Sequence, residues 1–169
     1  MFARVDFSKL TLMDALDLAS LIEVEAFQRY NLFAAQLGRR DPGDAASVFR
    51  SMAANEKKHG DKLARRRQTL FGDTPAKVKF DDLFDVEAPD VGSSRWNMSP
   101  RQAFEVALAA EKKAYAFYDQ ALPSVKQPDV QALFEELRDE EVEHIQMVEA
   151  IIAKLPPSAS IMLEDEDAD

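Results

Sequence analysis

The chain has 169 residues, a formal net charge of −10 and no cysteine. A chain of this length is expected to form one domain with its own core. The lack of cysteine excludes disulfides, thiolate metal sites and cysteine nucleophiles. The acidic balance argues against nucleic acid or an anionic membrane as a partner. No apolar run approaches the roughly 20 residues of a membrane helix, and charged residues interrupt the N-terminal stretch where a secretory signal would lie. We therefore expect a soluble cytoplasmic protein.

Four segments with helical periodicity account for most of the chain. Thr11 and Asp14 have the spacing of a capping box before the first segment. Ser99 precedes the third segment and places Gln102 at its third helical position. Capping residues, glycines and prolines bound the four predicted helices, which cover residues 12–37, 44–71, 100–122 and 128–155.

The connections between these segments are of unequal length. Short links join the first segment to the second and the third to the fourth, which predicts two antiparallel hairpins. Residues 73–98 are rich in Asp, Pro and Gly and are long enough to run back along a bundle of about 35–40 Å. The predicted fold is therefore all-α, a four-helix bundle formed by residues 1–155 with a long crossover. Residues 156–169 are predicted to be a solvated acidic tail.

Each predicted helix carries a glutamate in the middle of its apolar face. In the second and fourth helices a histidine follows three residues later on the same face, whereas in the first and third a tyrosine follows after one heptad. The second hairpin thus repeats the first, and all four carboxylates should lie at one level in the bundle. The residues concerned are Glu23, Glu56, Glu111 and Glu141, with His59, His144, Tyr30 and Tyr118.

Four carboxylates at close range in an apolar core cannot all stay ionised without compensation, because both desolvation and repulsion oppose their charge. Two divalent cations would balance the four charges, and the histidines would add one imidazole for each metal. An isolated Glu-x-x-His pair is usually solvated, but both histidines of this chain belong to matched copies of the pair. The sequence therefore predicts a dinuclear centre with two metal ions per chain. Its ligand chemistry suits iron or manganese, and zinc or cobalt could also occupy it.

Two interpretations of Tyr30 and Tyr118 remain open. Each could pack in the core with a hydrogen-bonded hydroxyl. Alternatively, each hydroxyl could hold a ligand carboxylate in place.

The ordered set Glu, Glu-x-x-His, Glu, Glu-x-x-His, spread over about residues 10–155, resembles the rubrerythrin-like branch of the ferritin-like di-iron carboxylate superfamily. This resemblance implies a ferritin-like bundle and a centre that needs no catalytic residue beyond its metal ligands. It implies that Glu23 and Glu111 are terminal ligands and that Glu56 and Glu141 bridge the two metals. It also implies that His59 and His144 each supply an imidazole to one metal.

The chain departs from rubrerythrins proper in two respects. It lacks the four-cysteine rubredoxin domain, so its electron donor would have to be another protein or be absent. Ala114 stands where those proteins have an additional glutamate, three residues after the third-helix ligand. The remaining six-ligand set is closer to that of bacterioferritin-type ferroxidase centres.

Two functions of different classes follow from the resemblance. The first is a di-iron oxidoreductase that oxidises Fe(II) with peroxide or O₂, as a peroxidase or a ferroxidase does. The alternative is a non-catalytic di-metal binding protein for iron storage, delivery or sensing. The resemblance also implies a homodimer, in which the long crossover would permit exchange of hairpins between chains.

Overall fold

The computed structural model describes residues 5–37, 44–79, 86–95 and 97–162. This part of the chain contains four long helices and no strand, and each helix begins and ends within one residue of the prediction. The helices are α1 (Leu12–Leu37), α2 (Ala45–Phe71), α3 (Pro100–Ala121) and α4 (Pro128–Lys154). None of them combines the length and the apolar character that a membrane span requires.

The predicted capping residues fix the starts of α1 and α3. The Asp14 N–H donates to Thr11 Oγ1 at 3.2 Å, and the Thr11 N–H donates to Asp14 Oδ2 at 3.2 Å. Ser99 and Gln102 make the same reciprocal pair, at 3.2 and 2.9 Å. Both boxes satisfy N–H groups that have no partner within the first helical turn. At the other end of α2, Gly72 adopts a positive φ of 58°, which glycine accepts without steric cost.

The helices form the two predicted hairpins. Helix α1 packs against α2 and α3 packs against α4, and contacts between α2 and α3 and between α1 and α4 close the bundle. Two apolar clusters form its core, one containing Phe117 and Phe134 and the other Phe33 and Phe49. In every helix a buried glutamate separates residues of the first cluster from residues of the second. The apolar core is therefore divided by a layer of carboxylates halfway along the bundle.

The crossover between α2 and α3 runs along this bundle. At the end of α2, the Arg67 guanidinium donates to the carbonyl oxygens of Gly72 and Thr74. Further along, residues 86–88 are fully buried. Met98 is also buried, next to the start of α3.

Residues 156–162 are mostly exposed, as expected of a solvated tail, but part of this segment packs on α3. They form a short 3₁₀ turn that contacts α3, with Ala159 buried and the Arg101 Nε donating to Ser160 Oγ at 2.9 Å. The physical reason is that residues 156–162 carry no charged side chain, because the acidic run begins after them. That run, residues 163–169, lies outside the described residues.

Candidate metal centre

The structure brings the six predicted ligands together at the carboxylate layer. Each hairpin supplies one group of two glutamates and one histidine, and the candidate ligand atoms of a group lie within 4.8 Å of one another. All four glutamates are at most 3% exposed. The two groups are Glu23, Glu56 and His59 from the first hairpin and Glu111, Glu141 and His144 from the second.

The two groups adjoin each other through their histidines. The imidazole rings of His59 and His144 stack with centroids 4.5 Å apart and an interplanar angle of 4°. His144 Nδ1 lies 3.2 Å from Glu111 Oε2, and His59 Nδ1 lies 3.8 Å from Glu23 Oε2. Each histidine thus faces the glutamate on the other helix of its own hairpin, as expected from the repeat in the sequence.

Burial controls the charge of the glutamates. It raises the pKa of Glu23, Glu56 and Glu141 well above the usual value, and repulsion from the neighbouring Glu87 carboxylate raises each pKa further. The metal-free centre therefore keeps protons that the same carboxyl groups would lose in water. This is the predicted consequence of placing several carboxylates in an apolar core.

The two histidines have different electrostatic environments. Burial, followed by repulsion from His144, lowers the pKa of His59. Burial also opposes the charged form of His144, but hydrogen bonds to Glu111 and Glu141 outweigh it and raise the pKa of His144 to about 11. The metal-free centre therefore carries its positive charge on His144.

The donor atoms fit a pair of divalent cations. Glu23 Oε2 and Glu56 Oε2 are buried and receive no hydrogen bond from the described part of the chain. Buried polar atoms in native proteins are nearly always satisfied, so these oxygens require another partner. Carboxylate and imidazole ligands suit iron, manganese or zinc, and each group offers two carboxylates and one imidazole.

Tyr30 and Tyr118 are buried next to the centre. Tyr118 packs edge-on against Phe117 and Phe134. The Tyr30 hydroxyl has no hydrogen-bond partner among the described residues, so a hydrogen bond from it to a ligand carboxylate is not formed. Heptad spacing determines the helix face and the level at which the tyrosine ring lies. It does not determine whether the hydroxyl lies within hydrogen-bond distance of a ligand carboxylate.

Glu87 is a buried carboxylate near the centre that sequence reasoning missed. It lies in the crossover, is 1% exposed, and has a pKa raised to about 7 by burial and by the charge of Glu111. Its neighbours Val86 and Ala88 are also fully buried. The sequence signal for Glu87 is its position within a short apolar run of an otherwise polar loop. A loop has no periodicity, however, from which the direction of the side chain could be predicted.

A cavity of about 200 Å³ adjoins the histidine side of the centre. Met147 in its wall is 44% exposed, so the cavity connects the centre with the surface. Its lining consists of Met52, Asn55, Glu56, His59, Glu111, His144 and Met147.

Comparisons with known proteins give both fold and family. Among solved structures, an uncharacterised conserved protein from Magnetospirillum magnetotacticum is 29% identical, with a TM-score of 0.64 over 87% of this chain and 97% of that chain. Rhodobacter capsulatus bacterioferritin, in a structure with a metal-free dinuclear site and haem iron, is 21% identical (TM-score 0.54, covering 93% and 96% of the respective chains). A hypothetical protein from Pyrococcus furiosus is 20% identical (TM-score 0.52, covering 85% and 89%). The last two similarities show the ferritin-like fold alone.

No curated protein matches the sequence. The model of the Rubrerythrin family, however, matches residues 14–152, which include the whole carboxylate layer. The chain therefore belongs to the rubrerythrin family.

Proposed function

We propose that the chain is a di-iron carboxylate oxidoreductase that oxidises Fe(II) with hydrogen peroxide or O₂. Family membership and the two carboxylate–histidine groups support di-metal binding. The observation that carries the redox proposal is the cavity beside the centre, because its wall includes both histidines and the Glu56 and Glu111 carboxylates. A small oxidant in this cavity would contact the ligands directly.

The chain's own residues would hold the metals and control what reaches them. Two bound Fe(II) ions would supply one electron each, which with two protons reduces one hydrogen peroxide to two water molecules. The six ligands of the two groups would hold the ions, and the apolar clusters on either side of the carboxylate layer exclude water along the bundle axis. Met52 and Met147 give the cavity an apolar wall, which favours entry of a small, weakly solvated oxidant.

Stopped-flow mixing of the Fe(II)-loaded protein with peroxide or O₂ tests the proposed activity. We expect two Fe(II) to bind per chain and to be oxidised rapidly, with one peroxide consumed for two Fe(II). Oxidation no faster than that of free Fe(II) would contradict the oxidoreductase. It would instead support a metal-binding protein for storage, delivery or sensing.

The role of the cavity has its own test. Met147→Trp should fill the cavity and slow the oxidation several-fold, while the chain still binds two Fe(II). Ile151→Trp is the matched control, because Ile151 lies one turn further along α4, is 37% exposed and does not line the cavity. Equal oxidation rates in the two variants would show that the oxidant does not enter beside Met147.

A further inference from the structure

The crossover brings a fifth carboxylate to the carboxylate layer. Among the charges around Glu23, Glu56 and Glu141, that of Glu87 raises the pKa of each most strongly. The charge of Glu111 acts in the same way on Glu87. Glu87 therefore lies within electrostatic reach of the carboxylates of both hairpins, although it belongs to neither. The geometry agrees, because Lys113, two residues after Glu111 on α3, hydrogen-bonds the carbonyl oxygen of Ala88.

The Glu87 carboxylate lacks the partners that a buried charge requires. Both of its oxygens are buried, and neither receives a hydrogen bond within the described residues. Its carboxyl group can share a proton with that of Glu56, but two ionised carboxylates are both acceptors and cannot bond to each other. A buried carboxyl group that finds no partner among the described residues except another buried carboxyl group is costly to keep in a fold, so its retention requires an explanation.

The fold holds this part of the crossover firmly against the bundle. From α3, the Lys113 Nζ donates to the Ala88 carbonyl oxygen at 2.5 Å and to Asp90 Oδ1 at 2.9 Å. From α1, the Arg29 Nη1 donates to the Pro89 carbonyl oxygen at 2.8 Å. The two cations thus anchor the backbone directly after Glu87, while both Glu87 oxygens remain without a donor.

We propose that Glu87 is a seventh ligand of the dinuclear centre, a carboxylate that the crossover supplies. This role rests on the proposed di-metal site, since the ligand has no function without the metals. Four helical carboxylates already balance the charge of two divalent ions. A fifth carboxylate matches the higher charge of two trivalent ions better, so Glu87 would favour the oxidised centre.

Co(II) binding tests this ligand without relying on activity. Glu87→Gln keeps the shape of the side chain and its capacity to hydrogen-bond with Glu56, but it removes the anionic oxygen. We expect the variant to bind Co(II) about tenfold more weakly or worse. Its visible Co(II) spectrum should also change, because the ligand set changes.

Asp90→Asn is the matched control. It removes one negative charge from the same crossover segment, but the Asp90 side chain is 80% exposed and pairs with Lys113. We expect its Co(II) affinity and spectrum to equal those of the wild type. Equal weakening in Asp90→Asn and Glu87→Gln would overturn the ligand assignment, because it would trace both effects to displacement of the crossover or to loss of charge alone.

The remaining outcomes separate the ligand from the metal site itself. Wild-type affinity and spectrum in a folded Glu87→Gln chain would show that Glu87 is only a buried neighbour of Glu56. If circular dichroism shows that this variant does not fold, Glu87→Asp keeps the charge and withdraws it by one methylene, and it should also weaken binding and alter the spectrum. Failure of the wild type to bind Co(II) would overturn the di-metal site, and with it the role of Glu87.

Discussion

Replacing Glu87 with glutamine should change how the stability of the metal-free protein depends on pH. Burial and the charge of Glu111 raise the pKa of Glu87 from 4.5 to about 7. Between these two values the folded chain binds more protons than the unfolded chain, so the free energy of unfolding falls as the pH rises. The stabilising contribution is fully present below pH 4.5 and is lost as the pH rises through 7.

The size of this effect follows from the shift. At about 1.4 kcal/mol per pKa unit, a rise from 4.5 to about 7 corresponds to about 3 kcal/mol of unfolding free energy. Most of it is lost between pH 5 and pH 8. Glutamine has no proton to release in this range, so the variant should not show this loss.

Urea unfolding with a chelator present, followed by circular dichroism at pH 5 and pH 8, measures the difference. The stability of Glu87→Gln relative to the wild type should rise by roughly 2 kcal/mol or more from the lower to the higher pH. The other buried glutamates titrate in both chains, but loss of the Glu87 charge lowers their pKa values in the variant, which adds to the difference in the same direction. An identical pH dependence in the two chains would refute the reasoning, because it would mean that the Glu87 carboxylate reaches water in the metal-free protein.

Three further variants test the ligand roles and the packing of the first hairpin. Glu56→Ala should lower the content of both metals, because the family resemblance makes Glu56 a bridge, whereas His59→Ala should lower mainly one. Metal analysis of the purified variants decides this, and two tightly bound metals in Glu56→Ala would contradict the bridge. Gly60→Ala should raise the stability of the metal-free protein by roughly 1 kcal/mol through helix propensity. Its added Cβ would lie 3.4 Å from the Glu23 Cβ, which is an ordinary contact. A lower melting temperature of Gly60→Ala would show that α1 and α2 cannot accept the methyl group.

The helices and the convergence of the six candidate ligands could be predicted because both depend on local, periodic signals. The capping pair Thr11 and Asp14 is complete within one turn, so it fixes the start of α1 without tertiary information. Helical periodicity then fixes the face and the level of each side chain. Glu23 and Glu56 therefore lie at the same height on paired helices, where the structure brings them together.

The features that the sequence did not reveal depend on contacts between distant parts of the chain. Glu87 faces the centre because Lys113 and Arg29, on two different helices, hold the backbone at Ala88 and Pro89. No pattern within the crossover encodes those contacts. The turn at residues 157–160 likewise packs on α3 through uncharged residues, whereas the prediction of a tail relied on the acidic residues beyond them.

Substitutions at Ala114 and Glu87 together test whether the position of an additional carboxylate affects the preference of the centre for peroxide or O₂. Ala114 is fully buried on α3, one turn after Glu111, at the position where rubrerythrins proper have an additional glutamate. Ala114→Glu alone would crowd this position and bury another charge. Combining it with Glu87→Ala keeps the number of buried carboxylates unchanged and moves one of them from the crossover to α3.

We expect the exchanged variant to show a higher ratio of peroxide reactivity to O₂ reactivity than the wild type. A carboxylate on α3 next to Glu111 could shift with the charge of the metals, whereas the backbone around Glu87 is anchored by Lys113 and Arg29. The measurement is the rate of Fe(II) oxidation with each oxidant at equal metal loading, with Glu87→Ala as the control for loss of the crossover carboxylate. An unchanged ratio in an exchanged variant that still binds two irons would show that the position of this carboxylate does not set the oxidant preference.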